Sequence, residues 1–165
     1  MKKLITGFLA AAMLIAFVVL PLRAQNATGQ TVKVKIYLLD YFEVSNMMEN
    51  LNMLAVEREV NAKTPLLSAL EAQMAGATED DNTQLLYSPF SGINLISLRV
   101  KNKTAYAHFT LTDSEKFDKI DAMRFRNSVR RTVLQFPSVH RIEICLDGVS
   151  DFWLIGAKTH RKCSR

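Results

Sequence analysis

The chain has 165 residues, a formal net charge of +5 and 48% hydrophobic residues, which fits one folded domain that can bury its own core. Three of the five net positive charges come from Lys2, Lys3 and Arg23, and residues 1–24 contain no Asp or Glu. The rest of the chain therefore carries only +2, and we predict no nucleic-acid partner.

The N-terminus has the features of an export signal. Two lysines precede an uninterrupted apolar run, residues 4–20, which ends at Pro21. A cleavage site follows Ala24, but Leu22 stands where a small residue is preferred, so an uncleaved anchor is the alternative. We predict that residues 1–24 are a signal peptide or such an anchor. The chain is then exported across the cytoplasmic membrane to a periplasmic, extracellular or membrane-anchored location.

Residues 25–31 are small and polar and predict a linker. The next stretch, VKVKIYLLD (residues 32–40), alternates apolar and polar side chains, which predicts a strand with one face on the core. Lys33 and Lys35 lie on the other face and indicate either solvent there or a sheet edge. Whether such an edge joins another copy of the chain stays open. Residues 41–52 predict a loop.

A second strand is predicted over residues 54–60, with Arg58 on its apolar side. We expect the Arg58 guanidinium to extend to solvent or to pair with a carboxylate. A helix follows, because Pro65 suits the first helical position and Gly76 suits a left-handed end. The polar stretch ATEDDNTQ, residues 77–84, predicts a charged surface loop.

A β-hairpin is predicted in the middle of the chain. The stretch INLISLRV leads into a short Lys-Asn-Lys turn, and TAYAHFTL returns from it with alternating apolar residues. In the first of these strands, the alternating apolar residues Ile96, Leu98 and Val100 mark the strand.

The last third of the chain combines a helix with a strand. Apolar residues at helical spacing predict a helix over residues 121–135, and Pro137 cannot continue it. A strand is predicted over residues 139–146, followed by an Asp-Gly turn. The stretch FWLIG, residues 152–156, is compatible with a further C-terminal strand.

These elements predict an α+β fold in the order β-β-α-β-β-α-β, with one mixed or antiparallel sheet and two helices packed on one of its faces. The domain extends over residues 32–156, and residues 157–165 are a C-terminal tail.

One group of charged residues is a candidate interaction surface. Arginines cluster on the polar side of the second predicted helix, and one more lies on the strand after it. The common interpretation is a solvated helix face. The alternative is a surface that docks anions, since guanidinium groups bind carboxylate and phosphate well. The five residues are Arg124, Arg126, Arg130, Arg131 and Arg141.

The two cysteines, Cys145 and Cys163, leave two interpretations open. In an exported chain they can form a disulfide. Otherwise Cys145 is an inert strand residue and Cys163 lies in a frayed tail.

The sequence offers no convincing catalytic or metal site. Cys145 with His108 or His140 has the residue types of a thiol protease, but nothing nearby would stabilise a thiolate. His160 and the other two histidines lack metal-ligand spacing. We therefore predict a non-enzymatic protein with no catalytic residue, no metal and no cofactor. Helix capping accounts better than acid–base catalysis for a cluster of carboxylates, namely Asp113, Glu115, Asp118 and Asp121.

Four separated blocks of the sequence resemble the GerMN domain, a module of sporulation and spore germination proteins. They are VKIYLLD, LSALEAQMAG, LISLRVKNKTAYAHFTL and VRRTVLQFPSVHRIEICLDG, in this order. The resemblance covers roughly residues 32–156 in a single copy. This chain departs from better-known members in having no lipid-attachment cysteine and in its KNK turn, where a turn with glycine is common.

The resemblance implies a compact α+β module that acts in envelope assemblies. The family has no known catalytic residues that could be assigned to positions of this chain. We therefore predict an exported binding or scaffold domain in a bacterial cell-envelope assembly, with a role related to sporulation or germination. The predicted partners are envelope proteins, and association between copies stays open. The alternative is a module that binds cell-wall glycan, such as peptidoglycan, or an anionic wall polymer. Exposed aromatic residues would serve such a module, and the candidates are Tyr87, Phe90, Tyr106 and Trp153.

Overall fold

The structure is a computed structural model that describes residues 29–40, 53–88, 92–112, 117–154 and 158–164. The predicted signal peptide and the predicted loop over residues 41–52 lie outside them. Over the described residues the chain forms six strands and three helices. In chain order these are β1 (Thr31–Asp40), β2 (Met53–Asn61), α1 (Pro65–Ala75), α2 (Glu79–Thr83), β3 (Leu86–Tyr87), β4 (Ile93–Lys101), β5 (Thr104–Leu111), α3 (Lys119–Leu134) and β6 (Arg141–Leu146).

The predicted α+β class is confirmed, but the strands divide into two sheets. One sheet has the order β2-β1-β3, and the other has the order β4-β5-β6. Neighbours pair antiparallel except β5 and β6, which are parallel. Helices α1 and α3 contact each other and strands of both sheets, so they join the sheets and do not cover one face of a single sheet. Among the described helices, none is long and apolar enough to span a membrane.

Strand β1 is not an edge strand. One of its edges pairs with β2 along most of its length, and β3 pairs with Leu39 and Asp40 on the other edge. Lys33 forms an exposed ion pair of 3.2 Å with Glu57 of β2. Lys33 therefore lies on a solvated face of the sheet.

Two glutamine side chains bond to the second edge of β1 at the two positions next to its pairing with β3. The Gln73 amide accepts from the Tyr37 N–H at 2.8 Å and donates to the Tyr37 carbonyl at 2.9 Å. The Gln135 amide does the same for Lys35, at 2.8 Å and 2.7 Å. Each amide thus replaces one residue of a neighbouring strand. This is the physical reason why the second sheet cannot continue from β1 and why the single predicted sheet is wrong.

The second sheet begins with the predicted hairpin. Strands β4 and β5 pair from Lys101–Thr104 outward, and both Asn102 and Lys103 have positive φ, as a two-residue hairpin turn requires. The pairing shifts by one residue between Leu95 and Ser97. The strand is as predicted, but Ile96 at this bulge is 64% exposed and Val100 is 47% exposed, so two of the three apolar residues that mark it do not pack in the core.

Helix α3 carries the centre of the core. Ala122, Phe125, Val129 and Val133 are fully buried at helical spacing, and Phe125 packs edge-to-face on Phe109 of β5 at 5.0 Å between ring centroids. The Asp118 side chain accepts from the Asp121 N–H at 2.8 Å and so caps the start of the helix.

Two local predictions differ from the structure. The stretch predicted as a charged loop, residues 77–84, contains the short helix α2, because Thr78 and Asp81 form a capping box that starts it. The FWLIG stretch does not pair back on β6 over its described part. Residues 152–154 form turns, and Phe152 is buried beside Phe125 at 5.8 Å between ring centroids. Because this ring is buried in the core, the segment turns away from β6 and does not form the predicted strand.

Candidate functional site

A cleft of about 340 Å³ opens where helix α3, strand β6 and the C-terminal segment meet. Its lining is dominated by positive charge. Five cationic side chains and a single carboxylate, Glu143, line it. The cationic residues are Arg126, Arg130, Arg141, Arg161 and Lys162.

Helix α3 brings two arginines to the cleft. Arg126 and Arg130 are four residues apart, so at about 3.6 residues per turn they lie above one another on one flank of the buried stripe. Because Phe125 and Val129 fix the rotation of the helix in the core, this flank faces the cleft.

Strand β6 forms the floor. The backbone of Lys103, in the hairpin turn, accepts hydrogen bonds from the N–H groups of both His140 (2.7 Å) and Arg141 (3.2 Å) and so anchors the start of the strand. Arg141 is exposed there, and the three residues after it also line the cleft.

The C-terminal segment returns across the end of β6. An Asp147-Gly148 turn with positive φ at both residues brings Val149 back to pair with Leu146, and Val149 in turn pairs with Lys162. A disulfide joins Cys145 of β6 to Cys163, with 5.8 Å between their Cα atoms. This arrangement carries Arg161 and Lys162 to the cleft.

The carboxylate of Glu143 is held by the same segment. Its two oxygens accept from the Ser164 N–H at 2.6 Å and from the Ser164 hydroxyl at 2.8 Å. Among the described residues, none of the five cationic side chains of the cleft forms an ion pair with a carboxylate. The cleft thus keeps guanidinium and ammonium donors available for an anion from outside.

Arg126 is the least exposed guanidinium of the cleft. It lies over the ring of Trp153 with its central carbon 4.3 Å from the ring centroid, a cation–π contact that fixes its position. Burial, and then the positive charge of Arg130, lower the pKa of Arg126 from its ordinary value. A bound anion would relieve the repulsion between these two guanidinium groups.

The five arginines predicted as one surface do not lie together. Arg126, Arg130 and Arg141 line the cleft. Arg124 forms an ion pair with Asp121 at 3.7 Å, and Arg131 lies over the Tyr37 ring of β1 at 5.7 Å. The reason is helical geometry, since both of these positions fall on the other flank of α3.

Sequence reasoning missed Arg161 and Lys162, which were placed in a C-terminal tail. The one signal that could have found them is Cys163, because a bond to Cys145 returns the tail to β6. Of the candidate aromatic residues, Trp153 lines the cleft, whereas Tyr106 lies under the Arg99 guanidinium and Tyr87 belongs to β3 of the other sheet. Phe90 lies outside the described residues.

The residues considered for catalysis or metal binding do not form a site in the described part of the chain. Cys145 is in the disulfide, so it has no free thiol to act as a nucleophile. His160 lies 3.2 Å from a carboxylate oxygen of Asp151 at the surface. Within the described residues, no three His, Cys, Asp or Glu side chains converge to hold a metal ion.

Comparison with known proteins gives a family and a fold. A family model described as Germane, sporulation and spore germination, matches residues 35–151. No curated protein matches the chain. The tandem GerMN domains of the sporulation protein GerM from Bacillus subtilis superpose on 74% of this chain, with a TM-score of 0.51 and 17% identity. The first GerMN domain of the same protein aligns with 72% of this chain and 84% of its own, with a TM-score of 0.48 and 18% identity.

This chain covers 41% of the tandem structure. At such low identity the likeness shows the fold alone. It does not transfer an activity or a partner.

Proposed function

Because the chain belongs to the Germane family of sporulation and spore germination domains, we propose that it is an exported, non-catalytic binding domain that joins a cell-envelope assembly through its basic cleft. The observation that carries the proposal is the convergence of five cationic side chains from three separate parts of the chain. A solvated surface needs no such convergence, whereas recognition of an anion does.

The geometry of the cleft favours binding over catalysis. Four of its six charged side chains are arginines, and guanidinium groups hold an anion well but are poor general acids or bases. The one carboxylate, Glu143, is occupied by two hydrogen bonds from Ser164. A hydrolase would need a nucleophile or an acid–base pair in this space.

Export supports an envelope partner. The N-terminal lysines and the apolar run over residues 4–20 have the pattern of a secretory signal, and a disulfide suits an oxidising compartment. An acidic face of an envelope protein is the anion that we expect the cleft to meet, in an assembly related to sporulation or germination.

A second candidate ligand is an anionic wall polymer. Trp153 favours it, because an aromatic ring beside arginines offers a stacking surface as well as charge. In this case the domain would bind the cell wall and would not dock on another protein.

The test is crosslinking in intact cells followed by affinity capture and mass spectrometry. Arg130→Glu/Arg141→Glu reverses two exposed charges of the cleft, one on a helix and one on a strand. Lys119→Glu/Lys101→Glu is the matched control, since it reverses one exposed helix charge and one exposed strand charge outside the cleft. We expect a specific envelope protein to be captured by the natural chain and the control and lost with the cleft variant.

Equal recovery of that protein by all three chains would exclude the cleft as its binding site. Recovery of wall fragments alone, with the same dependence on Arg130 and Arg141, would favour the wall-polymer alternative.

A further inference from the structure

Strand β6 is the last strand in the order β4-β5-β6, so one of its edges has no neighbouring strand among the described residues. The N–H groups of Arg141 and Asp147 donate to carbonyls of Lys103 and Phe109, on the β5 side. In a parallel pair, alternate residues direct their backbone groups to the same partner. The N–H and C=O groups of Ile142 and Ile144 therefore face away from β5.

This edge lies inside the basic cleft. Ile142, Glu143 and Ile144 all line it, although their side chains alternate between the two faces of the sheet. Three consecutive residues can border the same space only if the strand presents its edge to that space. The backbone groups of Ile142 and Ile144 thus border the cleft, although Ile144 as a whole is only 5% exposed.

The chain itself begins to pair with this edge and then leaves it. The Leu146 N–H donates to the Val149 carbonyl at 3.0 Å, and the Val149 N–H donates back at 2.9 Å. A strand that continued from Val149 would pair with Ile144 and Ile142. The chain turns away at the next position that could pair, since the Leu154 N–H donates to the Asp151 carbonyl at 2.9 Å in a turn and Phe152 is buried in the core.

The side chains around the edge define the chemistry of an added strand. Its side chains would alternate between two flanks, the side of α3 and the side of the C-terminal segment. Arg126 and Arg130 line the first flank, and Arg161 and Lys162 line the second. Charge complementarity on both flanks selects acidic side chains on both faces of the incoming segment.

We propose that the β6 edge within the basic cleft takes an extended acidic segment of a partner protein as an added β-strand. This inference rests on the proposed function and specifies how the partner is held. Main-chain hydrogen bonds to Ile142 and Ile144 supply part of the affinity, and the flanking cations select acidic side chains. An anionic wall polymer has no peptide backbone with which to extend the sheet.

A synthetic peptide tests the proposal on the intact chain with its disulfide formed. The probe is a blocked six-residue peptide of glutamates and valines, and its matched control is the same peptide with every backbone nitrogen methylated. Both peptides have the same charge, but only the first can extend a sheet. We expect methylation to weaken binding about tenfold, as the loss of one or two hydrogen bonds would. The measurement is calorimetric titration.

Amide hydrogen exchange supplies an independent readout. We expect the unmethylated peptide to slow the exchange of the Ile142 and Ile144 amides, and Arg130→Glu/Arg141→Glu to abolish the effect. Equal affinity for both peptides, with no protection of these amides, would overturn strand addition and leave charge-dependent binding by the cleft standing.

Failure of the acidic peptide to bind at all would also overturn the inference. Poly(glycerol phosphate) serves as the wall-polymer probe in the same titration. If it alone binds, and does so through Arg130 and Arg141, the cleft is a polymer site. The in-cell crosslinking described above tests the proposed function separately.

Discussion

At the scale of single residues, Asp81 shows how a carboxylate can be buried at low cost. It is 5% exposed, and it accepts hydrogen bonds from the N–H of Thr78 at 2.7 Å and from the hydroxyl of Thr78 at 2.8 Å. Its carboxylate also forms an ion pair with Arg58 of β2. Of the two outcomes predicted for Arg58, solvent exposure or an ion pair with a carboxylate, the structure has the ion pair.

The charge of Asp81 makes stability depend on pH. Burial alone would raise its pKa, but the hydrogen bonds from Thr78 and Arg58 and the Arg58 charge outweigh burial and lower the pKa below its ordinary value. A lowered pKa in the folded state stabilises the fold above the pKa of the unfolded state, about 4. This contribution is lost as the pH falls through the folded-state pKa.

We expect Asp81→Asn to lower the free energy of unfolding by about 2 kcal/mol at pH 7 and by less at pH 3. Urea denaturation at the two pH values measures the difference. Asp80→Asn is the control, since this neighbour in α2 is exposed and should behave like the natural chain. If Asp81→Asn kept the full acid sensitivity of the natural chain, Asp81 would not be its source.

At the scale of secondary-structure elements, side-chain amides replace a strand along β1. Gln73 of α1 is fully buried, and besides its two bonds to Tyr37 it accepts from the Thr132 hydroxyl of α3 at 2.7 Å. The Gln73 amide therefore joins α1, α3 and β1. Gln135 makes the equivalent pair of bonds to Lys35 in an exposed position.

We expect Gln73→Leu to destabilise the fold by about 3 kcal/mol, because it leaves the backbone groups of Tyr37 and the Thr132 hydroxyl buried without partners. Gln135→Leu is the matched control. It should cost about 1 kcal/mol, since water can replace its bonds to Lys35. Chemical denaturation of both variants measures the difference, and equal losses would show that burial of the amide is not the decisive factor.

At the scale of the whole molecule, the C-terminal segment is part of the domain and of its candidate site. The disulfide closes a loop with a sequence separation of 18 residues, and this loop contains Trp153, Arg161 and Lys162. The same bond therefore constrains the fold and holds one wall of the cleft in place.

We expect reduction of the disulfide to lower the free energy of unfolding by about 3 kcal/mol, chiefly by giving the unfolded chain more freedom. Reduction keeps both cysteine side chains, whereas Cys145→Ala would also leave a cavity in β6. Denaturation of oxidised and reduced protein measures the effect. Identical curves would show that the bond does not constrain the unfolded chain.

The sequence by itself determined the elements whose signals are local. Alternation predicted β1 and β5, and helical spacing of apolar residues with Pro137 beyond them predicted α3. The hairpin followed from the short gap between two alternating strands, although its turn has two residues, Asn102 and Lys103, and not the three of Lys-Asn-Lys. These patterns depend only on which side chains a strand or a helix brings to one face.

Only the tertiary structure decided how those elements associate. A five-residue helix is too short to show a period, so α2 was predicted as a loop. A bulge at Ile96 changes which residues face the core, and a single buried ring, Phe152, turns the predicted last strand away from β6. Each outcome depends on contacts between residues far apart in sequence, which no local pattern contains.

The candidate site divides in the same way. Arg126 and Arg130 on one helix face, and Arg141 on the strand after it, could be identified as a candidate surface from the sequence. That Arg124 and Arg131 lie outside the cleft could be seen only from the orientation of α3 relative to the core. That Arg161, Lys162 and the open edge of β6 belong to the site could be seen only from the disulfide and the return of the C-terminal segment. These bring together residues that are far apart in the sequence.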